Sequence, residues 1–105
     1  MMEFTGDVDF DNILNKCVEI LKVKGEDYTL GTGRRTHNFH TVAEFTGMTP
    51  EQVLGVYLYK HVSSLFSYIK SGGQRESEPI EERLCDIINY CLLCSKLISE
   101  KKQSS

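Results

Sequence analysis

Thr49-Pro50-Glu51-Gln52-Val53-Leu54-Gly55-Val56-Tyr57-Leu58-Tyr59-Lys60-His61-Val62-Ser63-Ser64-Leu65-Phe66-Ser67-Tyr68-Ile69-Lys70 is a helix with its start signal attached. Thr49 is placed to cap it. Pro50 falls at the first helical position, where a missing N–H costs nothing, and Gln52 completes a Thr-x-x-Gln capping box. Ser71-Gly72-Gly73 is the stop. Between the two signals the apolar residues point to most sides, so the helix is expected at the centre of a bundle.

Upstream, Asn38 to Thr46 reads as a short helix with Phe39, Val42, Ala43 and Phe45 as its apolar members, ended by Gly47. Before it lies the polar, glycine-bearing stretch 25–37. A first helix is expected from an Asp9 cap to about Lys24. Phe10, Ile13, Leu14, Cys17 and Leu21 recur on one face of it at helical spacing. Downstream, a turn over Gly72 to Ser77 leads to a last helix from about Glu78 or Pro79 to Glu100. Its expected core face is Ile80, Leu84, Ile87, Cys91, Cys94 and Ile98. Residues 1–8 and 101–105 are expected to be loose ends. No strand alternation competes. The expected fold is a single all-α domain over 1–105: three long helices and one short one. Two long neighbours cannot easily cover a helix apolar on all sides, so self-association into a homo-oligomer is expected.

The composition agrees with this. In 105 residues, 12 Lys and Arg against 15 Asp and Glu give a net charge of −3, and 40% are hydrophobic. That is too apolar for a disordered chain. No run approaches the roughly 20 apolar residues of a membrane span. The acidic start, Met1 to Phe10, is not expected to be a secretory signal, so a cytoplasmic location is expected. A mildly acidic chain also lacks the basic field that draws a protein to nucleic acid, and no such partner is expected. Cys17, Cys85, Cys91 and Cys94 are expected to be free thiols. Cys91 and Cys94 form a CxxC on a helix. It reads as a pair of small buried hydrophobes, with a redox or metal pair as the alternative.

Chemistry concentrates on the last helix. Glu78, Glu82, Asp86 and Asn89 lie within one stripe of about 80° at helical spacing. An acidic stripe is normally solvated, but this one has Cys85 beside it and runs on into Leu92 and Leu93. Partial cover is therefore expected. Covered carboxylates one turn apart repel unless a divalent cation such as Mg²⁺ or a basic side chain neutralises them. Lys60 shares a narrow polar stripe with Ser63, Ser64 and Ser67. It suits either a salt bridge to Glu82 or Asp86, or a phosphate beside a metal. Gly31-Thr32-Gly33 followed by Arg34-Arg35 could cradle a phosphate, though without a Walker ending.

These residues, in this order, resemble a known family: the phage and bacterial nucleotide-modification-associated domain, itself similar to the all-α MazG-like nucleoside triphosphate pyrophosphohydrolases. The resemblance rests on Lys24-x-x-Asp27-Tyr28, Asn38-Phe39, the mid-helix Lys60, and Glu78-x-x-x-Glu82-x-x-x-Asp86-x-x-Asn89-Tyr90, across about residues 20–95. The Glu-Glu-x-x-Glu of the pyrophosphohydrolases is missing, because Glu81-Glu82 is followed three residues on by Cys85. The resemblance implies a nucleotide partner and Mg²⁺-assisted attack of water on a phosphate. Glu82 and Asp86 would be catalytic and hold the metal, with Glu78 or Asp27 helping. Lys24, Arg34 and Lys60 would hold phosphates, and Tyr28 or Tyr90 would stack on a base beside Asn89. The competing reading is a non-catalytic helical oligomerisation or interaction module.

Overall fold

A computed structural model describes residues 1–24, 35–76 and 78–104, the side chain of Ser104 apart. Within them the chain forms four helices: α1 (Val8–Val23), α2 (His37–Thr46), α3 (Pro50–Lys70) and α4 (Ile80–Ser104). The described residues contain no strand. The all-α bundle of three long helices and one short one is thus the observed architecture. None of its helices is long and apolar enough to cross a membrane.

The start of α3 is as the sequence dictates. The Thr49 hydroxyl accepts from the Gln52 N–H at 3.1 Å, and the Gln52 side chain accepts from the Thr49 N–H at 2.9 Å. After α3 the chain turns through Gly72 and Gly73 at φ 67° and 85°, a left-handed conformation that glycine adopts without strain. A Cβ on Gly73 would also stand 3.3 Å from the Tyr68 hydroxyl.

Both ends of the chain carry ordered contacts among the described residues. Asp7, not Asp9, caps α1, its carboxylate accepting from the Phe10 N–H at 3.0 Å. Asp11 accepts from the N–H groups of Phe4 and Thr5 and from the Thr5 hydroxyl. Asn15 exchanges hydrogen bonds with the backbone of Met2. Burial disfavours the Asp11 carboxylate, but the hydrogen bonds from Thr5, Phe4 and Gly6 outweigh it and hold its pKa below the ordinary value. At the other end α4 continues to Ser104, because Lys101 and Lys102 suit the negative end of its dipole. One turn earlier, Glu100 accepts from the Thr36 hydroxyl at 2.9 Å and lies 3.2 Å from His40.

The core departs further from expectation. It comprises Phe39 and Ala43 of α2, Val53 and Leu54 of α3, and Leu93 and Leu97 of α4. Helix α4 packs on both α1 and α3, and α2 packs on α3. Between two neighbours, α4 buries the side expected to be polar: Cys85, Asp86, Asn89, Leu93 and Leu97. Cys91 and Ile98, assigned to its core face, are exposed. The small Cys17 and Cys85 allow α1 to approach that side closely; both are buried. Helix α3, in turn, fully buries only Val53 and Leu54.

Candidate functional site

Three helices contribute to one charged cluster. Lys24, the C-cap of α1, places its ammonium 3.2 Å from Asp86 Oδ1 on α4. One residue-step along α3 from Lys60, His61 Nδ1 lies 3.6 Å from the other Asp86 oxygen. Arg83 donates to His61 Nδ1 at 2.7 Å, and its Nη1 also stands 3.3 Å from Glu78 Oε1. Asp86 and Arg83 are both buried, while the Glu78 side chain is 39% exposed.

His61 Nδ1 cannot accept from a guanidinium and carry a proton for Asp86 at once. Arg83 is always a donor. Nδ1 is therefore the acceptor, the ring is neutral with its proton on Nε2, and the 3.6 Å approach to Asp86 is no hydrogen bond. Electrostatics agree: burial lowers the His61 pKa, with Arg83 and Lys60 adding to the effect against the opposing pull of Asp86 and Glu78.

His61, Glu78 and Asp86 each offer one ligand atom, all within 4.8 Å of one another. Of the carboxylates expected to converge, the structure thus unites Glu78 and Asp86 but not Glu82, which is exposed. One helical step separates Glu82 from Arg83, and it is Arg83 that α4 turns inward. Lys60 is also exposed, and it makes no ion pair among the described residues. The basic partner of Asp86 is Lys24 instead.

Asn89, one turn past Asp86, is 2% exposed. Its Nδ2 donates to the Cys17 carbonyl at 3.0 Å, while its Oδ1 is buried with no hydrogen-bond partner among the described residues. Tyr90 meets Phe39 at 6.3 Å in an edgewise contact and His61 at 5.2 Å in a tilted one, so protein already crowds the ring a base would stack on. Asp27, Tyr28, Arg34 and the glycines at 31 and 33 lie outside the described residues.

Beside the cluster opens a cleft of about 410 Å³ between the C-terminal half of α3 and the start of α4. Ser63, Ser64, Ser67, Arg75, Glu78 and Arg83 are among its lining residues. The serine stripe was legible in the sequence. His61, Arg75 and Arg83 were not singled out as site residues. The spacing held a signal for His61: it follows Leu54 by seven residues and Tyr57 by four, which puts it on the core face of α3.

Compared with protein-family models, with curated proteins and with solved structures, the chain matches none.

Proposed function

We propose that this protein binds a nucleotide through its phosphates in the cleft beside Glu78, where Glu78 and Asp86 would hold a divalent cation. The setting would be phage or bacterial nucleotide metabolism, in the cytoplasm. The observation that carries the reading is that Glu78, which lines a cleft together with three serines and two arginines, converges with the buried Asp86 behind it. Guanidinium and hydroxyl groups are the donors that phosphate oxygens need.

The donor set fits Mg²⁺ in part. Mg²⁺ takes one or two carboxylates, with phosphates and water completing its shell. Glu78 and Asp86 meet that need, whereas the His61 nitrogen is the wrong ligand for a hard cation and is already bonded to Arg83. The ion would supply charge neutralisation of the phosphates. The chain's own contributions are distinct. Arg75 and the α3 serines bind, and Arg83 and Lys24 hold the carboxylates in place. Pyrophosphohydrolysis is the reaction such a site would perform.

One observation favours the second reading, a non-catalytic helical module. Each carboxylate already has a cation, Lys24 on Asp86 and Arg83 on Glu78. As it stands the cluster is a neutral ion-pair network that a fold could keep for itself. A nucleotide panel with and without Mg²⁺ separates the two, read by thermal shift and by pyrophosphate release. The first reading expects a Mg²⁺-dependent rise in melting temperature that Asp86→Asn abolishes. No shift and no turnover with any nucleotide would leave the second.

A further inference from the structure

Most of the outward face of α3 is left unused by the proposed site, which borders it at Ser63. Val56, Tyr59, Phe66 and Ile69 are 56%, 73%, 65% and 60% exposed on the side of the helix away from Val53 and Leu54. An aromatic side chain presents about 150–250 Å². Tyr59 and Phe66 alone therefore offer roughly 250 Å², about a third of the ~800 Å² each partner buries in a standard interface. The protomer is also loosely gathered: its radius of gyration is 15.2 Å, against about 13 Å for a compact chain of similar length.

The two halves of this face differ in shape. The N-terminal half is a groove lined by Met48, Gln52, Gly55, Val56 and Tyr59. The C-terminal half projects Phe66 and Ile69. Gly55 costs the helix about 1 kcal/mol relative to alanine. Nothing among the described residues requires it, since a Cβ there would meet none of their atoms within 4 Å. The room it leaves opens outward.

We propose that α3 pairs antiparallel with α3 of a second copy, Phe66 and Ile69 of each chain seating in the Gly55 groove of the other. A two-fold axis near Val62 generates both contacts at once, as an isologous interface requires. Charge favours the same direction. Glu51 lies in the first turn of α3 and Lys70 in the last, so antiparallel pairing brings unlike ends together and parallel pairing like ends. This dimer goes beyond the nucleotide reading, and either can fail alone.

Light scattering at micromolar concentration should give twice the chain mass of 12.0 kDa. Phe66→Glu should return it to the monomer. Gly55→Gln fills the groove with a better helix former, so it cannot act by unfolding α3, and it should weaken the dimer at least tenfold. Val23→Glu, at an exposed site on α1, should leave the dimer intact. Within one chain Glu51 and Lys70 lie about 28 Å apart along the helix. A short carboxyl-to-amine cross-link between them must therefore join two copies. A monomeric native chain, a dimer that survives both substitutions, or a cross-linked dimer lacking the Glu51–Lys70 pair would overturn the proposal.

Discussion

Nη1 of Arg83 lies 2.7 Å from Nδ1 of His61, so a permanent cation donates to a ring that must stay neutral to receive it. Burial, with Arg83 adding to it, holds the folded His61 pKa below its ordinary value of 6.5. Above 6.5 both folded and unfolded rings are neutral. Below it the unfolded chain takes up a proton that the folded chain resists, and stability falls. The melting temperature should therefore drop as pH is lowered through 6.5, and less so in His61→Gln. An equal drop in both proteins would contradict the assignment.

Lys24 and Asp86 form an unequal pair, with side chains 45% and 10% exposed. Losing the lysine leaves a nearly buried carboxylate unpaired, whereas losing the carboxylate leaves a lysine that can turn to water. Lys24→Met should cost about 2 kcal/mol and Asp86→Asn less than about 1 kcal/mol, after allowance for solvent screening. Urea titration of the two variants checks the order.

Thiol reactivity should divide the cysteines. Burial pushes the Cys85 thiol up to about 12, helped by the hydrogen bond with Cys17 and by nearby Asp86 against an opposing pull from Lys16. Its thiolate is therefore scarce at neutral pH. Cys91 is exposed and Cys17 is buried. A thiol-labelling reagent followed by peptide mapping should mark Cys91 in the folded protein, and Cys17 and Cys85 only after denaturation. Early labelling of Cys85 would refute this.

Phe39 is fully buried, with Tyr57 and Tyr90 at 6.1 and 6.3 Å. It ties α2 to both α3 and α4. Phe39→Ala should destabilise the chain by about 3–4 kcal/mol through lost contacts and the cavity left behind. A melting temperature within a degree or two of the native value would contradict its central place.

The Asp11 carboxylate organises the N-terminal segment through the bonds it accepts from Phe4 and Thr5. Its pKa is held below the ordinary carboxylate value, so its contribution is present at neutral pH and lost as pH falls through that lowered value. Asp11→Ala should speed amide exchange at Phe4 and Thr5 while leaving α3 and α4 protected. Unchanged exchange at those two amides would show that the segment is held by other contacts.

How much of this was legible varies by element. The α3 boundaries were readable because capping is local: Thr49, Pro50 and Gln52 act on the same turn. Cover over the acidic stripe was readable too, since a solvated face does not run on into Leu93. Its extent was not. Glu82 and Arg83 are adjacent letters, and which one turns inward depends on where α1 and α3 lie against α4. The core face of α4 was misread for the same reason, because a helix held between two others buries two sides and periodicity finds one.

The sequence by itself determined four helices, their order and the glycine turn after α3, because caps, proline and glycine act within a few residues of themselves. Only the tertiary structure decided that Lys24 answers Asp86 from 62 positions away and that His61 and Arg83 join Glu78. It also decided which side of α3 stays uncovered, where the sequence said only that two neighbours would not cover it all. Those outcomes depend on how helices cross, and crossing is set by close packing among residues distant in the chain.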